Sequence, residues 1–478
     1  MGPCPLGPAS VGSLQKIWLP KRKAYALRTC EWSKFDRMAH AILRGPSNGI
    51  ISDMKHFLKR FLAAALLLLL LCACVQREEP PALPEPEPPA AQPIPPTVLE
   101  PDTQTDEEEV FHIQPETEPE PDPREEAIQS ILSDMTLEEK VGQMFFVRCP
   151  DAGAEKKISE YHLGGYLLFL RDFKDSAGNW LTAEAFTDKI AAYQSTSPIP
   201  LFIGVDEEGG TVTRASRNPN LFPEKFKSPQ ELYAAGLADA PDYGYNAGID
   251  WIRGDAVEKS AGLLRYGINV NFAPVADVST DPSDFIYARS FGQNAEMTVS
   301  FVGAVVSEMN HAGIGSVLKH FPGYGNNVDT HTGIAIDERP YEQFAAEDFL
   351  PFQAGIEAGA GSVLVSHNIA KCMDETLPSS LSPEVHRVLR EELGFEGVIL
   401  TDDLAMDAVE AYAEDGSVAV LAVLAGNDMI VTTDFETQIP LVIEAVRTGE
   451  IPSDLVDGAV RRVLGWKYDL GLLQADGE

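Results

Sequence analysis

One short stretch of the chain, KHFPGYGNNVDTHTG from Lys319 to Gly333, combines titratable side chains with three glycines. Two histidines and an aspartate lie in it, namely His320, His331 and Asp329. An imidazole has its pKa near neutrality, so one histidine can donate a proton in one step of a reaction and take it back in the next. Glycines give a loop the backbone freedom to move over a bound molecule and away again. The stretch therefore predicts acid–base chemistry on a loop.

Further polar side chains follow apolar runs along the chain. Eight runs rich in β-branched or aromatic residues occur at 143–148, 164–170, 200–206, 269–277, 314–321, 362–368, 397–403 and 428–433. The titratable residues at or just beyond the ends of these runs are Asp206, Glu207, Asp277, Lys319, His320, His367, Asp402 and Asp403. If the runs are parallel strands of one barrel, their carboxyl ends meet at the face where barrel enzymes hold their active sites. We therefore expect these side chains to form one site.

The segments between the runs have helical patterns, such as TAEAFTDKIAAYQ and MTVSFVGAVVSEMNHAG, and many end at a glycine. Apolar strands separated by helices indicate a parallel sheet that is covered on its faces. Eight such units over roughly 350 residues favour a (β/α)8 TIM-type barrel over an open doubly wound sheet. The final run SDLVDGAVRRVLGWKYDLGLL predicts a closing helix or pair of helices, without a second domain. The catalytic domain is expected to span residues 125–474.

The chain before this domain has the pattern of an export signal. Residues 1–53 are basic, have no sustained apolar period and precede a better start at Met54, so we expect a mis-started, disordered extension. Residues 54–73 place basic residues before a leucine-rich run, as a secretory signal does. The LCAC sequence resembles a bacterial lipobox, which implies that Cys74 carries lipid and anchors the protein to a membrane outside the cytoplasm. An ordinary cleaved signal or an uncleaved anchor is the alternative.

Residues 74–124 are rich in proline and glutamate and lack apolar periodicity, which predicts a disordered tether between membrane and barrel. The 478-residue chain has 73 acidic and 37 basic residues, and its net charge of -36 opposes binding to nucleic acid. Beyond the signal and Cys74, the cysteines are Cys149 and Cys372, and their spacing leaves a disulfide open. The sequence has no Cys–His cluster with zinc-ligand spacing, and we expect no metal or other cofactor.

Five motifs together resemble glycoside hydrolase family three, in particular its bacterial β-N-acetylglucosaminidase branch. They are VDEEGGTVTR, NFAPVADV, ARSFG, KHFPGYGNNVDTHTG and LTDDLAM, in this order. The resemblance implies a (β/α)8 barrel, a retaining mechanism and removal of a terminal β-linked N-acetylglucosamine (GlcNAc) from a glycan.

The resemblance also implies roles for individual residues. Asp402 matches the family's nucleophile, and Asp403 beside it is expected to cap a helix or brace the loop. His331 would serve as acid and then base, with Asp329 orienting its imidazole. The expected substrate-binding residues are Asp206, Arg289, Lys319, His320 and, with a weaker match, Arg214. A cation such as Arg289 or Lys319 near Asp402 would lower the pKa of that carboxylate.

Several alternatives stay open at this point. The natural substrate could be a muropeptide or a chitin-type oligosaccharide, and the activity could be that of a β-glucosidase or a GlcNAc phosphorylase of the same family. A barrel amidohydrolase could use His320, His331 and His367 as metal ligands. A glycan-binding lipoprotein without activity would be expected to lack Asp402 or His331, and both are present.

Overall fold

The computed structural model describes residues 122–327, 333–410, 412 and 418–474. Its strands are β1 Phe145–Arg148, β2 Gly165–Leu168, β3 Phe202–Val205, β4 Val270–Asn271, β5 Gly315–Phe321, β6 Ile336–Asp337, β7 Ser362–Val365, β8 Ile369–Ala370, β9 Val398–Thr401 and β10 Ile430–Thr432. Eight of them form one parallel sheet in the order β10-β1-β2-β3-β4-β5-β7-β9. A parallel bridge between Leu400 and Met429 joins the two edge strands and closes the sheet into a barrel.

Helices surround the barrel. They are α1 Pro123–Asp134, α2 Leu137–Gln143, α3 Ala154–Tyr161, α4 Ala183–Thr196, α5 Pro229–Asp239, α6 Tyr245–Arg265, α7 Ala295–Ala312, α8 Tyr341–Gln343, α9 Phe349–Glu357, α10 Pro383–Arg387, α11 Asp407–Glu410, α12 Val418–Ala425, α13 Phe435–Thr448 and α14 Ser453–Asp469. The cap residues follow the sequence signals: Thr136 and Ser228 form capping boxes, and Gly313 ends α7 in the left-handed conformation.

Large apolar side chains fill the lower part of the barrel. The Phe146 ring lies 5.8 Å from that of Phe202 and 5.2 Å from that of Phe272. Trp466, from α14, approaches the Phe202 ring to 4.5 Å. All four side chains are buried, so the interior is a packed core below the carboxyl ends of the strands. This packing leaves the upper end of the barrel as the place for a site.

The predicted architecture is confirmed. Each of the eight apolar runs contains a barrel strand, although β4 has only two residues, and Val275 beyond it pairs with Lys319 of β5 through a separate bridge. The final run forms one helix, α14. The sequence analysis missed the small two-stranded sheet of β6 and β8 because neither strand exceeds two residues.

The first helix begins close to the predicted boundary between tether and domain. The tether is predicted to reach residue 124, but α1 begins at Pro123 with Asp122 as its cap, because proline fits the first helical position and Asp122 accepts a hydrogen bond from the Arg124 amide. The predictions for residues 1–53, 54–73 and Cys74 lie outside the described residues. None of the helices described here has the length and apolar character needed to cross a membrane.

Candidate active site

The site is built on a buried cluster of charges at the carboxyl ends of β3 and β5. Lys319, in β5, donates hydrogen bonds to Asp206 and to Glu208, with Nζ–O distances of 2.7 Å to each carboxylate. Arg289 contacts Glu208 with two nitrogens, Nε at 3.0 Å and Nη2 at 2.8 Å. The side chains of Lys319 and Glu208 are each only 3% exposed. The cluster thus holds two cations and two carboxylates in fixed geometry.

Electrostatics keeps this cluster ionised. Burial alone would raise the pKa of Glu208, but the charges of Arg289 and Lys319 outweigh it and hold that pKa well below its usual range. Burial would lower the pKa of Lys319, whereas Asp206 and Glu208 raise it. Glu208 and Lys319 therefore stay charged because their partners are charged.

His320 extends the cluster toward the loop after β5. Its Nδ1 lies 2.7 Å from Oδ2 of Asp277, and its Nε2 lies 3.1 Å from Nη2 of Arg289. A guanidinium can only donate, so Nε2 accepts and Nδ1 carries the proton that Asp277 binds. Asp277 also accepts the backbone amides of His320 and Tyr324, at 3.1 Å and 2.7 Å. Asp277 therefore fixes both the imidazole and the start of the loop.

Arg214 approaches the cluster from the loop after β3. Its Nη2 lies 3.9 Å from Asp206, and its guanidinium lies 5.6 Å from the centre of the Phe169 ring. The buried Glu207 accepts hydrogen bonds from the backbone amides of Arg214 and Ala215, at 2.9 Å and 2.7 Å. Arg148 lies on the same ring at 4.3 Å. Glu207 thus holds the loop that carries Arg214, and the Phe169 ring lies near two guanidinium groups.

Asp402 and Asp403 follow β9 and have different environments. Asp402 is partly buried, and its Oδ1 accepts the Asp403 amide at 2.8 Å. The Asp403 carboxylate instead accepts from the Ala405 amide at 3.0 Å and from the Thr433 hydroxyl at 2.9 Å. Asp403 therefore has the loop-bracing contacts expected of it. His367, which is buried, lies behind this turn with Nε2 3.0 Å from the Asp403 carbonyl oxygen.

One cavity of about 290 Å³ brings the candidate residues together. Its polar lining consists of Arg148, Asp206, Glu208, Arg214, Arg289, Lys319, His320, Asp402 and Asp403. Its apolar lining consists of Leu167, Phe169, Val212, Phe272, Leu364, Met406 and Val431. Asp402 and the five predicted substrate-binding residues thus share one space. Asp329 and His331 lie outside the described residues.

The chain from residue 136 to residue 465 matches the model of the glycosyl hydrolase family 3 N terminal domain. The chain belongs to glycosyl hydrolase family 3. A beta-hexosaminidase of Stenotrophomonas maltophilia is 31% identical over 311 residues, which cover 64% of this chain and 86% of that relative. A beta-hexosaminidase of Xanthomonas oryzae pv. oryzae is 32% identical over 249 residues, covering 52% of this chain and 69% of the relative.

Solved structures show the same relationship. The family 3 beta-N-acetylglucosaminidase of a Paenibacillus species superimposes with a TM-score of 0.61 at 28% identity, covering 72% of this chain and 65% of that one. The beta-N-acetylhexosaminidase of Beutenbergia cavernae gives 0.57 at 29% identity, covering 69% and 98%. The family resemblance carried by the motifs is thus confirmed. This chain is a family 3 glycoside hydrolase whose curated relatives include beta-hexosaminidases.

The described histidines of this family 3 site do not favour the alternative in which they bind a metal ion. Both ring nitrogens of His320 are engaged, by Asp277 and Arg289. Those of His367 contact the Ser380 hydroxyl at 2.7 Å and a backbone carbonyl. In the part of the chain that is described, no group of three His, Cys, Asp or Glu side chains is arranged to hold a metal ion.

Sequence reasoning missed Glu208. It joins Arg289 to Lys319 and lines the cavity, yet only Asp206 and Glu207 were singled out in the VDEEGG motif. The available signal was the third carboxylate of the motif, directly before Gly209 and Gly210. Both glycines have positive φ, 102° and 61°, so the chain turns sharply there and Glu208 faces back into the barrel.

Proposed function

We propose that this hydrolase is a retaining exo-β-N-acetylglucosaminidase that removes terminal β-linked GlcNAc from glycans. The observation that carries the proposal is that Asp402 shares one cavity with Asp206, Arg289, Lys319 and His320 in a family 3 barrel. The cavity, of about 290 Å³, has room for a sugar residue. The relatives named beta-hexosaminidase support this choice of sugar.

In the proposed reaction Asp402 acts as the nucleophile. Its carboxylate attacks the anomeric carbon, the bond to the leaving oxygen breaks, and a covalent glycosyl-aspartate forms. Water then attacks the same carbon and releases GlcNAc with its original configuration. The Asp402 carboxylate is partly buried and held by the Asp403 amide, which favours one orientation of its oxygens.

His331 is the proposed proton donor to the leaving oxygen, and Asp329 is the proposed partner of its imidazole. The support is the DTH sequence within the family motif, since both residues lie outside the described part of the chain. The same histidine would then accept the proton of the attacking water. Its pKa near neutrality suits both steps.

Sugar hydroxyls would bind the charge cluster. Asp206 is 16% exposed and accepts one hydrogen bond from Lys319, so it retains oxygen lone pairs for hydroxyl protons. Arg289 and Lys319 line the same cavity and have more N–H donors than their carboxylate contacts use, whereas both ring nitrogens of His320 are engaged by Asp277 and Arg289. The buried Glu208 holds two of these cations in place before the sugar arrives, which reduces the cost of ordering them on binding.

We further propose that the enzyme works outside the cytoplasm, anchored to a membrane through lipid on Cys74, and that muropeptides or chitin-type oligosaccharides are its substrates. The lipobox and the acidic, proline-rich segment support this location. Replacing Cys74 with alanine should release the protein from the membrane fraction. An unchanged distribution would contradict the lipid anchor and leave the proposed reaction unaffected.

The test of the reaction compares three variants of the whole chain, Asp402→Asn, His331→Ala and Asp403→Asn. Turnover is measured on a β-GlcNAc substrate with a good aryl leaving group, on one with a sugar leaving group, and on the matching aryl β-glucoside. Asp402→Asn should abolish turnover of all of them, whereas Asp403→Asn is the neighbouring control and should retain most of it. His331→Ala should slow the sugar leaving group about 100-fold or more and the activated aryl group far less.

The same assay separates the alternatives. Faster turnover of the β-glucoside would make the protein a β-glucosidase, and GlcNAc 1-phosphate formed in the presence of phosphate would make it a phosphorylase. Full activity of Asp402→Asn would remove the basis of the proposed mechanism.

A further inference from the structure

A second charge cluster lies next to the active site, around Arg339. This guanidinium donates to Asp337 through Nε at 3.0 Å and Nη2 at 2.8 Å, and to Asp348 through Nη1 at 2.7 Å. Both carboxylates are buried, with 2% and 1% of their side chains exposed. The guanidinium also lies 4.2 Å from the centre of the Phe344 ring. Arg339 is thus held on two sides by carboxylates and on its face by an aromatic ring.

This cluster contacts the chain on the amino-terminal side of residues 328–332. Asn327 donates through its side-chain amide to Asp337 at 2.8 Å and to the Tyr324 carbonyl oxygen at 2.9 Å. Gly325 lies so close to the guanidinium that a Cβ there would approach Arg339 Cζ to 2.6 Å. The chain from Tyr324 to Asn327 therefore lies directly on the cluster.

On the carboxyl-terminal side of residues 328–332, Asp337 belongs to a small sheet. Its backbone belongs to β6, which pairs with β8, and its carbonyl oxygen accepts the Lys371 amide at 3.0 Å. Ala335 accepts the Ile369 amide at 2.8 Å. Asp337 thus joins both ends: its side chain holds Asn327, and its main chain is part of a sheet.

We propose that Arg339 is a positioning residue for catalysis: with Asp348 it holds Asp337, whose contact with Asn327 fixes the two points of the chain between which segment 328–332 lies. Segment 328–332 carries Asp329 and His331, so the inference rests on the acid–base role proposed above. Arg339 acts through the ends of the segment and does not touch the substrate in this proposal.

The position of the glycines supports this assignment. A Cβ at Gly323 would approach Oδ1 of Asp348 to 2.2 Å, and the φ of Gly323 is +127°. The sequence analysis assigns Gly323, Gly325 and Gly333 to loop movement, but the first two are packed against the charge cluster. Gly333, with φ of +146° and open space around its Cβ position, is the one of the three that keeps room to rotate.

The charges of Arg339 and Asp348 also support the positioning role of Arg339. Burial raises the pKa of Asp348 to about 7 even with Arg339 beside it, and the charges of Asp277 and Asp337 act in the same direction. The positive charge of Arg339 therefore opposes protonation of Asp348. A lysine at position 339 keeps the charge but cannot contact both carboxylates through a planar fork.

The test uses Arg339→Lys in the whole chain and measures kcat on the two β-GlcNAc substrates described above. A misplaced proton donor harms only the substrate whose leaving group needs protonation. We expect the ratio of kcat for the sugar leaving group to kcat for the activated aryl group to fall about 10- to 100-fold. KM for the aryl substrate should change little, because the sugar-binding cluster is intact.

Arg390→Lys is the matched control. Arg390 is also a mostly buried arginine, and it contacts a buried carboxylate, Asp428, and the carbonyl oxygens of Phe395 and Gly397, just before β9. This variant should lose stability without changing the ratio. An unchanged ratio in Arg339→Lys, or an equal fall in both variants, would overturn the proposal.

Asn327→Ala gives a second route if Arg339→Lys does not fold. It removes the bond to Asp337 without leaving a charge unpaired, and the same fall in the ratio is expected. A ratio within about two-fold of wild type would overturn the proposal. His331→Ala shows which proposal has failed. If His331 is not the acid–base residue, the kcat ratio of His331→Ala is also unchanged; if only the positioning role of Arg339 is wrong, the kcat ratio of His331→Ala still falls.

Discussion

Replacing Glu208 with glutamine is the sharpest test of the charge cluster. The carboxylate accepts three charge-assisted hydrogen bonds, two from Arg289 and one from Lys319, at 2.7–3.0 Å. Glutamine has nearly the same shape, but it is neutral and turns an amide NH₂ toward a donor. Removing one partner of a buried ion pair costs about 3–5 kcal/mol. Because one oxygen remains, we expect the free energy of unfolding to fall by about 3 kcal/mol.

The assay is urea unfolding of wild type and variant, alongside kinetics on the aryl β-GlcNAc substrate. Arg289 and Lys319 lose a shared partner, so kcat/KM should fall about 10-fold or more. Glu231→Gln is the control, since Glu231 is a largely exposed glutamate whose pKa is lowered by the Ser228 capping box. It should cost about 0.5 kcal/mol and leave the kinetics unchanged.

The sign of the pH dependence follows from the lowered pKa of Glu208. Its stabilisation is fully present above the unfolded pKa of 4.5 and is lost only as the pH falls toward the lower folded value. The difference between wild type and Glu208→Gln should therefore be constant from pH 8 to about pH 5.5. A loss below about 1 kcal/mol, or a difference that disappears within this range, would refute the reasoning.

Three further predictions concern single side chains. Asp403→Ala should lower the stability of the turn by about 1 kcal/mol while retaining measurable turnover, because Asp403 bonds to Thr433 and the loop; complete inactivity would contradict this role. Lys467→Met should raise the free energy of unfolding at pH 7 by about 1–3 kcal/mol, because burial lowers the pKa of Lys467 from 10.5 to about 7 and the gain is reduced by the lost hydrogen bond to Gln143 Oε1. That gain should shrink in urea titrations as the pH approaches 10.5, since the unfolded lysine then loses its proton too, and a variant less stable than wild type at pH 7 would contradict it. Peptide mapping after alkylation at pH 8 should find Cys372 modified and Cys149 intact, because Cys149 is buried and burial raises its pKa to about 12; equal modification would contradict this.

The sequence could place the strand ends because periodicity fixes where a strand stops. Asp206 directly follows β3, Lys319 lies within β5, and Asp402 directly follows β9, so the barrel brings them to one face. For residues in loops, the sequence does not show whether they return to the site. Arg214 lies nine residues after β3, and only the folded loop held by Glu207 returns it to Asp206.

The partners of the cations could not be read from the sequence. The sequence predicts Arg289 or Lys319 near Asp402, and all three line one cavity, but their contacts with Asp206, Glu208 and His320 are visible only in the folded chain. Such pairings depend on loop conformations after β3 and β4, which are set by glycines and long-range packing. The proposed role of Arg339 could not be predicted from the sequence either, because the sequence does not show that its partners Asp337 and Asp348 are buried.

The filled interior below the site has a consequence for how a polymer would be degraded. Phe146, Phe202 and Trp466 occupy the barrel beneath the cavity, so a sugar that enters from the carboxyl face meets a closed floor. In the exo reaction proposed above, each binding event consumes one chain end, and the rest of the glycan stays outside the barrel. The rate of sugar release should accordingly follow the molar concentration of ends: at equal mass, short oligosaccharides would yield product faster than long strands.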